Sequence, residues 1–128
     1  MTRRLLRRTC RLMLLALGCG ALSGCFASPP QIIALDPSRG SVGVPADTPI
    51  VVQFDRSVVR HSVEGRFSVS PQITNCDLTA AFTAGPAAAC RIAWLSGDTG
   101  FSLEHQHAVL DSNTRYTFTL AGGFADPE

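Results

Sequence analysis

Two kinds of apolar pattern divide the chain. Leu12 to Leu17 is one unbroken apolar run, preceded by Arg3, Arg4, Arg7, Arg8 and Arg11 and followed by small residues from Gly18 to Gly24. From Gln31 onward the apolar positions instead alternate or gather in short groups. Ile32, Ile33 and Leu35 predict a first strand, ended by the turn signal Asp36-Pro37-Ser38-Arg39-Gly40. Val42 and Val44 alternate before Pro45, and Pro49 to Phe54 is a β-branched run expected to be well buried. Arg66 to Ser70 puts Phe67 and Val69 on one face, and Arg115 to Leu120 does the same with Tyr116, Phe118 and Leu120. Between them, Arg91 to Leu95, the turn 96–100 and Phe101 to Glu104 predict a hairpin. No segment after residue 24 shows helical periodicity. Leu78 to Ala89 is alanine-rich but broken by Thr79, Thr83, Gly85 and Pro86, and is read as a long loop or irregular hairpin. Many short strands with regularly spaced turn signals predict an all-β sandwich.

The first segment has a different purpose. A basic start, a short apolar run and a small-residue zone make a secretory signal peptide, and the run is too short for the roughly 20 residues that a bilayer span needs. Leu22-Ser23-Gly24-Cys25 resembles the lipobox of bacterial lipoproteins, in which an aliphatic residue and two small ones precede the modified cysteine. The small residues let extended backbone enter the processing enzymes, and the thiol receives a diacylglyceryl group as a thioether. The resemblance implies that residues 1–24 are removed and that Cys25 becomes the first residue, with an N-acyl group in many bacteria. The alternative is an ordinary secretory signal with a coincidental cysteine. Two or three acyl chains would anchor the protein durably, since each buried methylene contributes ~0.8 kcal/mol. Phe26, rather than Asp, favours the outer membrane if the envelope is Gram-negative. Thr2 to Arg7 also resembles a twin-arginine export signal, with general secretion the preferred route. Residues 25–30, with Pro29 and Pro30, form a short stiff tether, and 31–128 the domain.

Losing the leader changes the charge and the cysteine count. The whole chain carries 11 basic and 10 acidic residues, net +1, and has no lysine. Five arginines leave with residues 1–24 and all ten acidic residues stay, so six minus ten gives −4. Nothing suggests nucleic acid, which would want a basic stripe. The remaining 104 residues suffice for one domain. Of five cysteines, Cys10 and Cys19 leave and Cys25 is lipidated, so Cys76 and Cys90 remain as a pair in an oxidising compartment. They are read as a disulfide closing a loop of about 15 residues, which could contribute ~3 kcal/mol. Two buried free thiols are the alternative.

Asp36 to Pro45, Thr48 to Val58, Phe67 to Pro71 and Leu110 to Leu120 together resemble the SbsA-type bacterial immunoglobulin-like domain of surface-layer and other envelope proteins. The resemblance covers about 31–126 and implies an Ig-like Greek-key β-sandwich. In such sandwiches a tyrosine at the start of a late strand ties its hydroxyl to backbone upstream, a place that suits Tyr116. Phe54, Phe67, Trp94, Tyr116 and Phe118 are expected in the core, with a surface hot spot as the alternative for Trp94. The family continues past the position of Asp126 with a final strand. The sequence given stops at Glu128, so the domain is expected to be C-terminally incomplete, either as part of a longer lipoprotein or with a strand supplied by a partner.

For chemistry, His105-Gln106-His107 is the one cluster worth testing: histidines two apart on a strand face the same way and could share zinc, with His61 as a third ligand and Glu104 or Asp111 near in sequence. The alternative places the pair in a solvated loop where the hairpin strand leaves the sheet, and no metal or other cofactor is expected beyond the covalent lipid. No Gly-x-Ser-x-Gly nucleophile motif and no phosphate-binding glycine loop is present. The sequence thus predicts a non-enzymatic, lipid-anchored envelope module serving as spacer, structural element or adhesion platform, with an envelope protein or glycan as partner. Two alternatives stand beside it: the membrane-proximal stalk of a larger surface enzyme or receptor, and a small His-dependent metal-binding lipoprotein.

Overall fold

The computed structural model describes residues 28–105 and 110–127. Leu22, Ser23, Gly24, Cys25 and His107 lie outside the described residues. Among the described residues six strands form two antiparallel sheets: β1 (Ile32–Asp36), β2 (Ile50–Phe54), β3 (Phe67–Ser70), β4 (Arg91–Trp94), β5 (Gly100–Glu104) and β6 (Thr117–Leu120). The larger sheet has the order β1-β2-β5-β4, and β3 pairs with β6 in the smaller. The chain therefore crosses between sheets after β2, β3 and β5, a Greek-key path. The order matches the A-B-E-D sheet of an immunoglobulin sandwich, with β3 and β6 in the places of C and F. The third strand of that second sheet has no counterpart among the described residues.

Alternation dictates which side chains fill the space between the sheets. In β2, Ile50, Val52 and Phe54 point inward and are buried, while Val51 and Gln53 are not. β5 lies between β2 and β4, pairing Val52 with Phe101 on one side and Trp94 with Phe101 on the other. Phe101 is fully buried and is the hub of the aromatic core, its ring centroid lying 5.0 Å from Phe67, 5.7 Å from Trp94, and 6.2 Å from both Phe54 and Phe82. Each such pair adds to the burial energy through edge-to-face or tilted contact. Gly100 permits the close approach of β2 to β5: a Cβ there would run into the Val52 carbonyl oxygen and sit 2.9 Å from Leu95 Cδ1. The hairpin turn is a short 3-10 segment (Ser96–Asp98) with Gly97 and Asp98 at positive φ, closed by Leu95 N–H donating to the Gly100 carbonyl at 2.9 Å.

Three features differ from the sequence expectation. Val42 and Val44 belong to no strand, and Val42 is 93% exposed. Single helical turns, α1 (Arg60–Val63) and α2 (Leu78–Ala81), occupy the crossovers. Four residues are too few for a 3.6-residue period to show; the turns are fixed instead by burial of Val63 and Ala81 and by Asp77, whose Oδ1 accepts from the N–H groups of Thr79 and Ala80 at 2.9 and 3.3 Å. His105 is 2% exposed, not solvated, because the chain leaving β5 tucks under the β1–β2 connection and the ring Nε2 donates to the Thr48 carbonyl at 2.7 Å. Cys76 and Cys90 are bonded, with Cα atoms 5.4 Å apart, and draw the segment containing α2 against the start of β4.

Candidate functional site

The start of β1, the end of β2, the 3-10 turn, α1 and the segment after β6 all meet at one end of the sandwich. This is also where residues 28–31 lead into β1. Pro30 is buried, and Gln31 makes a closed pair of bonds with Asp55: its N–H donates to Asp55 Oδ1 at 2.8 Å, while the Asp55 N–H donates to the Gln31 carbonyl at 2.9 Å. Gln31 Nε2 also donates to the Pro29 carbonyl at 2.9 Å. Next in sequence, Arg56 donates from Nε and Nη2 to Asp55 Oδ2 at 3.2 and 2.8 Å, and its Nη1 lies 3.9 Å from Asp126 Oδ2. The Arg56 hydrogen bond, helped by the Gln31 N–H, holds the Asp55 carboxyl below the usual carboxylate range against a smaller upward pull from desolvation. The same bond raises the Arg56 guanidinium. The chain is thus fastened to the domain from Pro29 onward.

The same end is closed by further bonds. Arg60 reaches Asp98 Oδ1 from Nε at 2.8 Å and from Nη2 at 2.7 Å, with its guanidinium carbon 5.5 Å from the centre of the Trp94 ring. Among the described residues the partners of Arg66 are backbone, the carbonyls of Ser62 and Gly122 at 2.7 and 2.8 Å. Val59 N–H donates to the Ala125 carbonyl at 2.8 Å, Ala125 N–H donates to Ser62 Oγ at 2.9 Å, and Phe124 lies 5.1 Å from Phe54 between ring centroids. These charges are satisfied by one another or by backbone. They hold the end together.

At the far end, Tyr116 stands beside Asp111, five residues upstream. Its hydroxyl donates to Asp111 Oδ2 at 3.1 Å and accepts from the Asp111 N–H at 3.0 Å. Leu110 N–H donates to the Ala46 carbonyl at 3.2 Å, tying this crossover to the β1–β2 connection. Phe54 and Phe67 are in the buried core, whereas Trp94, Tyr116 and Phe118 are half-buried and pack against it. Of the two described histidines, His61 is exposed on α1 at the end where Gln31 enters β1, and His105 follows β5 at the other, so these two do not meet; His107 lies outside the described residues. Among the described residues no group of three His, Cys, Asp or Glu could hold a metal ion, and no helix is long and apolar enough to cross a membrane.

Sequence reasoning missed two things here. The Gln31–Asp55–Arg56 fastening joins residues 24 apart that carry no local pattern; its only advance signal is that Asp55-Arg56 ends the most apolar strand. Phe101 lies on the expected strand, but nothing in the alternation distinguishes it as the hub. The family model described as the bacterial Ig-like domain matches residues 27–128. No curated protein matches the chain, and no solved structure does.

Proposed function

The chain belongs to the bacterial Ig-like domain family, and on that premise we propose that it is a non-enzymatic cell-envelope module, anchored by lipid on Cys25 and acting as spacer, structural element or adhesion platform. An Ig-like domain of this kind suggests a structural or adhesion role, and the SbsA-type pattern of its strands points to the envelope. The observation that carries the anchored reading is the fastening at Pro29 to Gln31. Only Phe26, Ala27 and Ser28 separate it from Cys25, so four Cα steps span at most about 14 Å. A domain so closely leashed works at the membrane surface. It would hold a partner, an envelope protein or a glycan, a fixed distance from the lipid. Detergent phase partitioning tests the reading: the parent protein goes to the detergent phase and Cys25→Ser to the aqueous phase. Equal partition of the two would contradict it.

One observation favours a second reading. β6 pairs with β3 alone among the described residues, and Phe118 and Leu120 on it are only half-buried. A strand from elsewhere could complete that sheet by main-chain pairing, with the domain serving as the membrane-proximal stalk of a larger surface protein. The reading frame beyond the Glu128 codon tests it; an immediate stop would exclude the stalk.

A further inference from the structure

The large hydrophobic side chains that stand exposed among the described residues are Ile32, Ile33 and Val42, at 37%, 64% and 93%. All three fall in the first stretch of chain after the fastened tether. They are not scattered over the surface, where single apolar residues would need no explanation. Among the described residues β1 is an edge strand, paired only with β2, and its register runs Ile32 with Phe54 and then Ala34 with Gln53. Ile33 is the extra residue of a β-bulge. Ile32, Ile33 and Leu35 line a shallow open hollow together with Ser38 and Arg39 of the next turn. That turn is closed by the Ser41 N–H and Oγ both donating to the Ser38 carbonyl, at 3.1 and 2.8 Å, and Val42 follows it directly.

We propose that this edge, from Ile32 through Arg39 to Val42, rests on the lipid surface, so that the domain lies on its β1 side and does not stand upright on its tether. The proposal rests on the lipid-anchor reading. Chain length argues for this occupant over any other: with at most about 14 Å from Cys25 to Pro29, Ile32 and Ile33 are held within reach of the headgroups whatever else binds. Arg39 is the cation of the patch and has no salt bridge among the described residues. It can reach lipid phosphate while its stem and the two isoleucines cover apolar surface. Contact is at headgroup depth, where water still serves the unpaired backbone of the strand edge.

Hydrogen exchange read by mass spectrometry tests this on the mature chain held to phosphatidylethanolamine–phosphatidylglycerol vesicles. Cys25 is attached in one arm by its own acyl chains and in the other by coupling its thiol to a maleimide lipid. The comparator is Cys25→Ser free in buffer. The amides of residues 32–44 should exchange several-fold more slowly on vesicles, with residues 111–120 unchanged, and the Ile33→Asp/Val42→Asp protein should lose that protection. Both side chains are exposed, so the variant keeps the fold. Equal exchange of 32–44 on vesicles and in buffer would overturn the proposal. So would protection in buffer that grows with protein concentration, which would mean a second copy covers the edge. The mass of the Cys25 peptide reports acylation separately: an unacylated Cys25 would sink the anchor reading, while the coupled arm still decides whether the edge meets lipid.

Discussion

Removing the disulfide tests how the loop before β4 is held. Cys76 and Cys90 are 14 positions apart, so the bond closes a loop of 15 residues. The chain-entropy relation assigns such a loop about 3 kcal/mol at room temperature, mostly through the unfolded state. Both cysteines are almost completely buried, at 3% and 5% exposure, so a Cys76→Ala/Cys90→Ala protein also leaves a small void that adds to the loss. Domains of this size are stable by about 5–15 kcal/mol, so the double variant still folds but forfeits a large fraction of its margin. Urea unfolding followed by Trp94 fluorescence is the assay. With a slope of about 1 kcal/mol per molar urea, the midpoint should fall by about 3 M. Reducing the parent with dithiothreitol should reproduce most of that fall. A midpoint change below about 1 M in both samples would refute the reasoning, because α2 and its capping Asp77 would then hold the segment without the cross-link.

Other outcomes follow from the packing and the bonds. Gly100→Ala forces a Cβ onto the Val52 carbonyl, and overpacking of this kind should cost about 1–3 kcal/mol in the same urea assay. Tyr116→Phe removes the hydroxyl that Asp111 engages twice; a loss of about 0.5–1.5 kcal/mol is expected. A double cycle with Asp111→Ala should show coupling between the two residues. Asp55 has a folded pKa held below the ordinary value by Arg56 and Gln31, so its contribution is fully present above the unfolded value of about 3.9. That contribution is lost as pH falls through the folded value. An NMR titration of the Asp55 carboxyl should show a depressed midpoint that moves up in Arg56→Ala; an unmoved midpoint would remove Arg56 as the cause.

Strand positions were legible because β-branched and aromatic residues alternate against a polar face. Ile50, Val52 and Phe54 wrote β2 plainly, and Arg91 to Glu104 announced its hairpin through the Ser96-Gly97-Asp98 turn. The cysteine pair emerged from counting once Cys25 was set aside. Tyr116 could be singled out because one tyrosine before an alternating run suits a corner between sheets. The crossovers were not legible, since α1 and α2 are single turns set by tertiary burial and one aspartate cap. His105 looked like a solvated loop residue because its partner, the Thr48 carbonyl, is 57 positions away and belongs to backbone. The bonding of Gln31 to Asp55 was equally hidden: both are ordinary polar residues until β1 and β2 pair in their observed register.

The proposed function stands on a lipid at Cys25. Intact mass and N-terminal peptide mapping of the protein from the membrane fraction of a bacterium that makes it test for that lipid. The expected chain begins at Cys25 with a diacylglyceryl thioether on its sulfur, with or without an amide-linked acyl group. A chain that keeps residues 1–24, or one that carries Cys25 as a free thiol, would contradict it.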